Sequence, residues 1–264
     1  MRRCTKVNNM VDAIDQEILG NDPGPRQDLI GHLTELRSRL IRSMIYVVIG
    51  ATAGWFLYKP FFFHLITAPV TGYLNKHGGN LLITGPAEGF VIKMQMCLII
   101  GFILAMPFVL WEIWAFVAPG LTRKERRSAR FLAPLSVFLF VLGVFATYLI
   151  LPAAINWLGS QNPSEAVYMP SVKETLRFIL LMCLAFGVAF QLPLILMFLS
   201  MLGIVSSQKL KTYWRYWVVV LLIVGTLITP SNDIPSNAVM CITLVVLYFL
   251  SIGLVKLVEK SKQR

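Results

Sequence analysis

Charge is scarce in this sequence. Only 14% of its 264 residues are charged and 56% are hydrophobic, whereas soluble domains carry about 25% charged residues. Acidic residues are rarer than basic ones. The chain has 13 Asp and Glu and 24 Lys and Arg, which gives a formal net charge of +11. This balance excludes an ordinary soluble domain and predicts an all-α integral membrane protein.

Residues that perform catalysis or bind metals are also few. The three histidines are scattered, the four cysteines form no CxxC, and no HExxH, GxSxG or P-loop pattern occurs. An intramembrane hydrolase would need a nucleophile and a base at one depth, and the sequence offers no such pair. We therefore predict that the protein is not an enzyme, with no catalytic residue, no metal site and no cofactor.

The beginning of the chain lacks an apolar run. Residues 1–28 are polar, so no cleavable signal peptide is expected. Residues 1–27 mix charges with Asn, Asp, Pro and Gly, which predicts a flexible cytoplasmic tail. A six-span membrane domain is expected over residues 28–255, followed by a basic cytoplasmic end over residues 256–264.

Six apolar stretches predict six transmembrane helices. Pro152 is expected to end the third, prolines to break the helices of the long segment 61–91, and Trp111, Trp114 and Phe116 to lie at the interface. The fifth stretch gives only about 20 Å of helix against a hydrocarbon core of about 30 Å, which predicts a locally thinned bilayer. The predicted spans are residues 43–58, 94–116, 131–151, 174–203, 216–228 and 234–255.

The basic residues are distributed unevenly between the predicted loops. Nineteen of the 24 Lys and Arg fall on the side that holds both termini. By the positive-inside rule this side is cytoplasmic, which places the chain in the cytoplasmic (inner) membrane with both termini inside. The net positive charge therefore reflects topology, and no nucleic-acid partner is expected.

Two glutamates stand out on that basic side. Glu35 lies in HLTELRSRLIR, residues 32–42, where a helix places Arg39 one turn after it. Glu125 lies in the basic loop 122–130, which also holds Arg127. Two carboxylates on one rim suit a basic peptide, since guanidinium pairs bidentately with carboxylate. The alternative is that each is neutralised by its own neighbouring arginines. In the helix predicted over residues 32–42, Leu33, Leu36 and Leu40 would form the apolar face.

Polar residues inside the apolar runs offer another site. Gln191 lies near the middle of the fourth span, where an amide seeks either a helix-packing partner or a wet cavity. Pro193 frees a backbone carbonyl nearby. A small-solute or ion secondary transporter using this site is the alternative to a peptide receptor. Glu112 carries less weight, because it is near the interface and can snorkel.

The segments HLTELRSRL, residues 32–40, and WAFVAPGLTRKERR, residues 114–127, closely resemble the TatC family, the receptor subunit of the twin-arginine protein translocase. TAPV at residues 67–70, FGVAFQLPL at residues 186–194, a short fifth span and the turn after Thr229 extend the resemblance over residues 28–255. The resemblance implies a concave, cupped-hand bundle of six helices.

The resemblance implies roles for particular residues. Glu35 and Glu125 would contact the twin arginines of a signal peptide, Pro69 would belong to the outer cap, and Thr229 would lie at an intramembrane polar or partner contact. Gln191 occupies an intramembrane position where relatives often have glutamate, so a titratable role there is not expected. Asp233 is displaced by one residue from the family's Thr-Pro-Pro-Asp turn. The two glutamates would be surrounded by Arg37, Arg127, Phe116 and Pro119.

The implied function is that of a receptor and core subunit of twin-arginine translocation. Its partners would be Arg-Arg signal peptides of folded cargo, single-span TatA/TatB-like subunits, further copies in an oligomer, and membrane lipid. Such a protein would nucleate a translocation pore driven by the proton-motive force.

Overall fold

The computed structural model describes residues 25–57, 63–77, 80–83, 85–117, 123–161, 169–229 and 234–262. Over these residues the chain is helical, and its extended pairing is one bridge between Leu82 and Ser171. The helices are α1 (Pro25–Leu57), α2 (Phe63–His77), α3 (Glu88–Val117), α4 (Arg123–Ser160), α5 (Val172–Ala189), α6 (Leu192–Met201), α7 (Ser207–Thr212), α8 (Trp214–Ile228) and α9 (Ile234–Lys262).

The chain divides into two compact units, Met1–Arg42 and Ser43–Arg264. In the first unit, the described residues 25–42 are the first part of α1. The predicted tail over residues 1–27 therefore lies almost entirely outside the described residues, and residues 25–27 already belong to α1. The second unit holds the remainder of α1 and the helices α2 to α9.

The predicted all-helical membrane class is confirmed. Five described helices are long and apolar enough to cross a bilayer, and α8 is a shorter apolar helix. These six correspond in order to the six predicted spans. The amphipathic stretch 32–42 and the first span form one continuous helix, α1. The five long candidates are Leu33–Leu57, Glu88–Val117, Phe131–Ser160, Val172–Met201 and Ser236–Lys260.

Proline ends fewer helices than predicted. Pro152 lies inside α4, which continues to Ser160, so the expectation that it ends the third span is wrong. Pro69 likewise lies within α2, which is one helix and not several broken at prolines. The reason is packing in α4, where Leu151 and Ile155 flank Pro152 and are 2% and 6% exposed. Burial of this turn outweighs the hydrogen bond that proline cannot donate.

The fourth predicted span consists of two helices. The α5 helix ends at Ala189, the N–H of Gln191 donates to the Val188 carbonyl at 3.0 Å, and α6 begins at Leu192. Pro193 lies in the first turn of α6, where the missing N–H costs no helical bond. Gly203 follows α6 with a φ of 75°, a left-handed conformation that favours glycine.

Helix α2 packs at one end of the second unit, which we call the α2 end: α2, residues 80–83, residues 85–87 and residues 169–171. Ile66, Val70 and Leu74 lie on one face of α2 and belong to a buried cluster with residues of α3, α4 and α5. Leu82 exchanges two backbone bonds of 3.1 Å with the strand-like residues around Ser171. The Ser171 hydroxyl donates to Glu88 at 3.2 Å, which ties the first turn of α3 to the start of α5.

Helix α7 packs at another end, which we call the α7 end: α7, the first turn of α8 and residues 249–262 of α9. Ser207 donates its N–H to Glu259 Oε1 at 2.8 Å and its hydroxyl to Oε2. The Tyr248 hydroxyl donates to the Leu210 carbonyl at 2.9 Å, and both residues are fully buried. Side chains of α9 thus hold the short α7 helix in place.

Candidate functional site

Glu35 forms an ion pair with Arg39 one turn later in α1. Arg39 donates from Nε at 3.0 Å and from Nη2 at 2.6 Å, and both bonds end on Oε1 of Glu35. Glutamate four residues before a basic residue is the favourable order along a helix. Because the Glu35 and Arg39 side chains keep 34% and 20% exposure, the pair contributes only about 0.3–0.5 kcal/mol. Arg39 orients Glu35 without burying it.

The rest of this stretch is exposed. Arg37 follows Glu35 by two positions, and residues so spaced do not face each other on a helix. Arg39 is therefore the arginine that contacts Glu35. The predicted apolar face, consisting of Leu33, Leu36 and Leu40, is 63%, 43% and 60% exposed among the described residues. A half-buried carboxylate and an exposed row of leucines thus share α1.

The second predicted glutamate is described only by its backbone. Glu125 and Arg127 belong to the first turns of α4, and their side chains lie outside the described residues, as does Pro119 entirely. Phe116 is half-buried just before α3 ends at Val117. Since Glu35 belongs to Met1–Arg42 and Glu125 to Ser43–Arg264, the convergence of the two carboxylates stays a prediction.

The end of α3 that precedes this loop is firmly packed. Trp114 was expected at the interface, but it is 8% exposed and its ring meets Phe198 of α6 edge-on, with centroids 5.2 Å apart. Glu112 was expected to snorkel and is instead buried, also at 8% exposure. Burial of Glu112 contradicts the expected snorkelling, whereas the interface depth expected for Trp114 stays a prediction, and Trp111 is 56% exposed. The packing holds the last turns of α3, which ends at Val117, shortly before α4 begins at Arg123.

Gln191 lies at the break between α5 and α6. Its side chain is 7% exposed, and Nε2 donates to the Ser136 carbonyl of α4 at 3.1 Å and to the Gly187 carbonyl at 3.5 Å. These two bonds support the alternative in which Gln191 is a helix-packing residue. Because both contacts are to carbonyl oxygens, they require a donor, which glutamine supplies and an ionised glutamate would not.

Thr229 and Pro69 occupy less central positions. The Thr229 hydroxyl is buried and donates to the Gly225 carbonyl at 2.6 Å, closing the end of α8. Pro69 lies within α2, next to the buried Val70, and its own side chain is outside the described residues.

Small residues beside Gln191 were missed by the sequence reasoning. A Cβ added at Gly143 of α4 would lie 2.7 Å from the Phe186 carbonyl oxygen, and one at Gly187 would lie 2.5 Å from the Phe140 ring. These glycines let α4 and α5 approach closely enough for the Gln191 bond to form. The spacing Ser136, Gly143 and Thr147 places three small residues on one face of α4, a pattern typical of close helix packing.

These features define a multi-pass, all-helical membrane protein with a charged amphipathic extension on its first span. Residues 31–242 match the family described as Sec-independent protein translocase protein (TatC). The chain belongs to the TatC family.

Relatives from two organisms agree with this assignment. A TatC protein of Desulforapulum autotrophicum is 36% identical over 88% of this chain and 85% of its own length. One from Aquifex aeolicus is 34% identical over 89% of this chain and 97% of its own length. The crystal structure of a twin-arginine translocase receptor, TatC, is similar with a TM-score of 0.75 and 33% identity, covering 86% of this chain and 99% of that one. Homologues of this chain are thus protein translocase components.

Proposed function

We propose that this protein receives Arg-Arg signal peptides on its cytoplasmic rim, with Glu35 and Glu125 as the residues that bind the two arginines. It then nucleates a pore with single-span TatA/TatB-like subunits, driven by the proton-motive force, and performs no enzymatic chemistry itself. The observation that carries the proposal is the state of Glu35, a partly exposed carboxylate whose one oxygen, Oε1, takes both bonds from Arg39.

The geometry of Glu35 suits a second guanidinium. In the part of the chain that the structure describes, Oε2 accepts no bond, so an incoming arginine has a free acceptor on a carboxylate that Arg39 already orients. Charge-assisted bonds of this kind are about twice as strong as neutral ones. Since Arg39 remains on Oε1, a peptide arginine adds to the pair and does not need to displace it.

The exposed leucines of α1 supply a second surface that is complementary to a signal peptide. A signal peptide places an apolar segment after its basic residues. Leu33 and Leu36, at 63% and 43% exposure, lie in the same turns of α1 as Glu35 and offer an exposed apolar face next to the face that carries the carboxylate. The same stretch therefore carries both surfaces that such a peptide requires.

The test is photo-crosslinking of an Arg-Arg signal peptide to the full-length protein in membrane vesicles. We expect Glu35→Gln to reduce crosslinking about tenfold, as strongly as Glu35→Ala, because the negative charge and not the side-chain size binds arginine. Glu125→Gln should have a similar effect. A Lys-Lys peptide should crosslink weakly even to the unaltered protein, since lysine lacks the bidentate fork.

The matched control is Glu174→Gln, a charge change at an exposed glutamate in the first turn of α5. It should leave crosslinking unchanged. Undiminished crosslinking in a Glu35→Gln/Glu125→Gln variant that inserts normally would contradict the proposed site.

The transporter alternative receives no comparable support. It relied on Gln191 as a substrate group, but the amide already donates to two backbone carbonyls. A solute would have to break a packing contact between α4 and α5 to reach it. Uptake of solutes by proteoliposomes that contain this protein alone is therefore not expected.

A further inference from the structure

We propose that the α7 end carries a binding site for the headgroup of an anionic phospholipid. A cavity of about 460 Å³ lies between α7, the start of α8 and the last turns of α9. The residues around it combine two lysines with apolar walls, as a lipid of this kind requires. They are Lys211, Trp214, Phe249, Ile252, Gly253 and Lys256.

The charges around the cavity suit a phosphate group. Lys211 approaches from α7 and Lys256 from α9, and both are exposed. Arg215 adds a third cation beside the cavity, with its Cζ 5.8 Å from the centroid of the Trp214 ring. The neighbouring acid, Glu259, takes the N–H and hydroxyl of Ser207, so its charge is directed to the start of α7. Basic pockets between spanning helices are the usual sites for anionic lipid headgroups.

The remaining walls suit the glycerol and acyl part of the lipid. The Trp214 and Phe249 rings lie 6.3 Å apart, and Ile252 forms a buried floor at 6% exposure. Trp214 is at the start of α8, the position where tryptophan marks a membrane interface. A free inorganic phosphate would gain nothing from these apolar groups, so the composition of the cavity favours a phospholipid.

The short α8 helix brings the bilayer surface to this cavity. Its 15 residues span about 22 Å, less than a hydrocarbon core of about 30 Å. A short span draws the headgroups inward. The headgroup layer therefore meets α8 at the level of Trp214, which lines the cavity together with the two lysines.

The experiment measures thermal unfolding of the purified full-length protein in detergent with added lipid. Phosphatidylglycerol should raise the Tm with a saturable dependence, whereas phosphatidylcholine and inorganic phosphate at the same concentration should not. Lys211→Gln/Lys256→Gln should weaken the apparent affinity for phosphatidylglycerol at least about tenfold.

The matched control removes the same charge from the same two helices. Lys209 of α7 and Lys260 of α9 are exposed and do not line the cavity. Lys209→Gln/Lys260→Gln should change the affinity by less than about twofold. Equal losses in the two double variants would mean diffuse surface attraction and would overturn the proposal. So would an equal Tm increase with inorganic phosphate, or no response of the unaltered protein to phosphatidylglycerol.

A second variant tests the cavity with all charges intact. A Cβ added at Gly253 meets nothing within 4 Å, so Gly253→Leu should fold while filling the space that the lipid needs. Its response to phosphatidylglycerol should fall at least as far as that of the lysine variant. Gly72→Leu is the control, because Gly72 is equally open but lies on α2. A full lipid response in Gly253→Leu would remove the cavity from the mechanism.

Discussion

Gly101 lies where α1 and α3 touch through their backbones. A Cβ there would collide with the backbone N and Cα of Ala51, and a Cβ at Gly50 would collide with the Gly101 carbonyl oxygen. Neither neighbour is the end of a flexible side chain that moves aside. Small residues at such a crossing allow van der Waals packing between helices in lipid, where the hydrophobic effect contributes little.

Gly101→Ala is therefore expected to destabilise the protein by about 1–3 kcal/mol, the usual cost of overpacking. The corresponding fall in Tm is several degrees for a chain of this size, measured by thermal unfolding in detergent. Gly89→Ala on the same helix is the control, because a Cβ at Gly89 meets nothing within 4 Å. Equal Tm values for the two variants would show that the crossing is looser than described.

Single residues also mark the limit of prediction from sequence. That Gln191 needs a hydrogen-bond partner follows from its place in an apolar run, but the partner, the Ser136 carbonyl, is 55 positions away. Trp114 and Glu112 were expected near the headgroups, and both are buried. Hydropathy gives the depth of a residue along a span, whereas burial depends on which neighbouring helix covers that face.

At the scale of helices, hydropathy predicted where the apolar helices lie but did not predict the residues at which they end. Proline chemistry predicted a stop at Pro152, yet α4 runs to Ser160 because Leu151 and Ile155 are packed there. Conversely, the single span predicted over residues 174–203 contains a break at Phe190 and Gln191. Tertiary packing overrides local propensity in the first case, and in the second the polar bond of Gln191 lies at the break.

Helix α7 is too short to be stable by itself, so its position depends on α9. Six residues cannot offset the cost of helix nucleation. The Glu259 carboxylate supplies two acceptors to Ser207, and the Tyr248 hydroxyl binds the Leu210 carbonyl. These contacts connect the loop between α6 and α8 to the last span.

Glu259→Ala should therefore loosen α7 without unfolding the bundle. Partly buried bonds to a charged acceptor are worth about 1 kcal/mol or more, so hydrogen exchange of the α7 amides should accelerate roughly fivefold. Glu259→Gln is the matched control, since its amide can still accept from the Ser207 N–H and donate to the hydroxyl. Exchange that rises equally in both variants, or in neither, would rule out this tether.

In the second unit, the described contacts show which helix ends lie together at the α7 end and which lie together at the α2 end. Ser207 and Glu259 place the start of α7 beside the last turns of α9, and Leu82 and Ser171 join the start of α3 to the start of α5. The α7 end carries one acid among its described side chains, Glu259, and five basic residues, Lys209, Lys211, Arg215, Lys256 and Lys260. Next to the α2 end, in the first turns of α3 and α5, the cations Lys93, Lys173 and Arg177 are accompanied by Glu88 and Glu174. The positive-inside rule thus predicts that the α7 end is cytoplasmic.

Single-cysteine labelling tests this orientation in a background without native cysteines. Lys209→Cys and Lys260→Cys should react with an impermeant maleimide only after the membrane is opened, because both belong to the α7 end. Asn80→Cys and Ala87→Cys, exposed positions at the α2 end, should react in intact spheroplasts. The reversed pattern would invert the predicted orientation of the α7 end and the α2 end. Labelling of Lys209→Cys and Lys260→Cys from opposite sides would instead contradict the contact between Ser207 and Glu259 itself. The two failures are distinguishable, so the experiment separates the orientation of the protein from the way its helices pack.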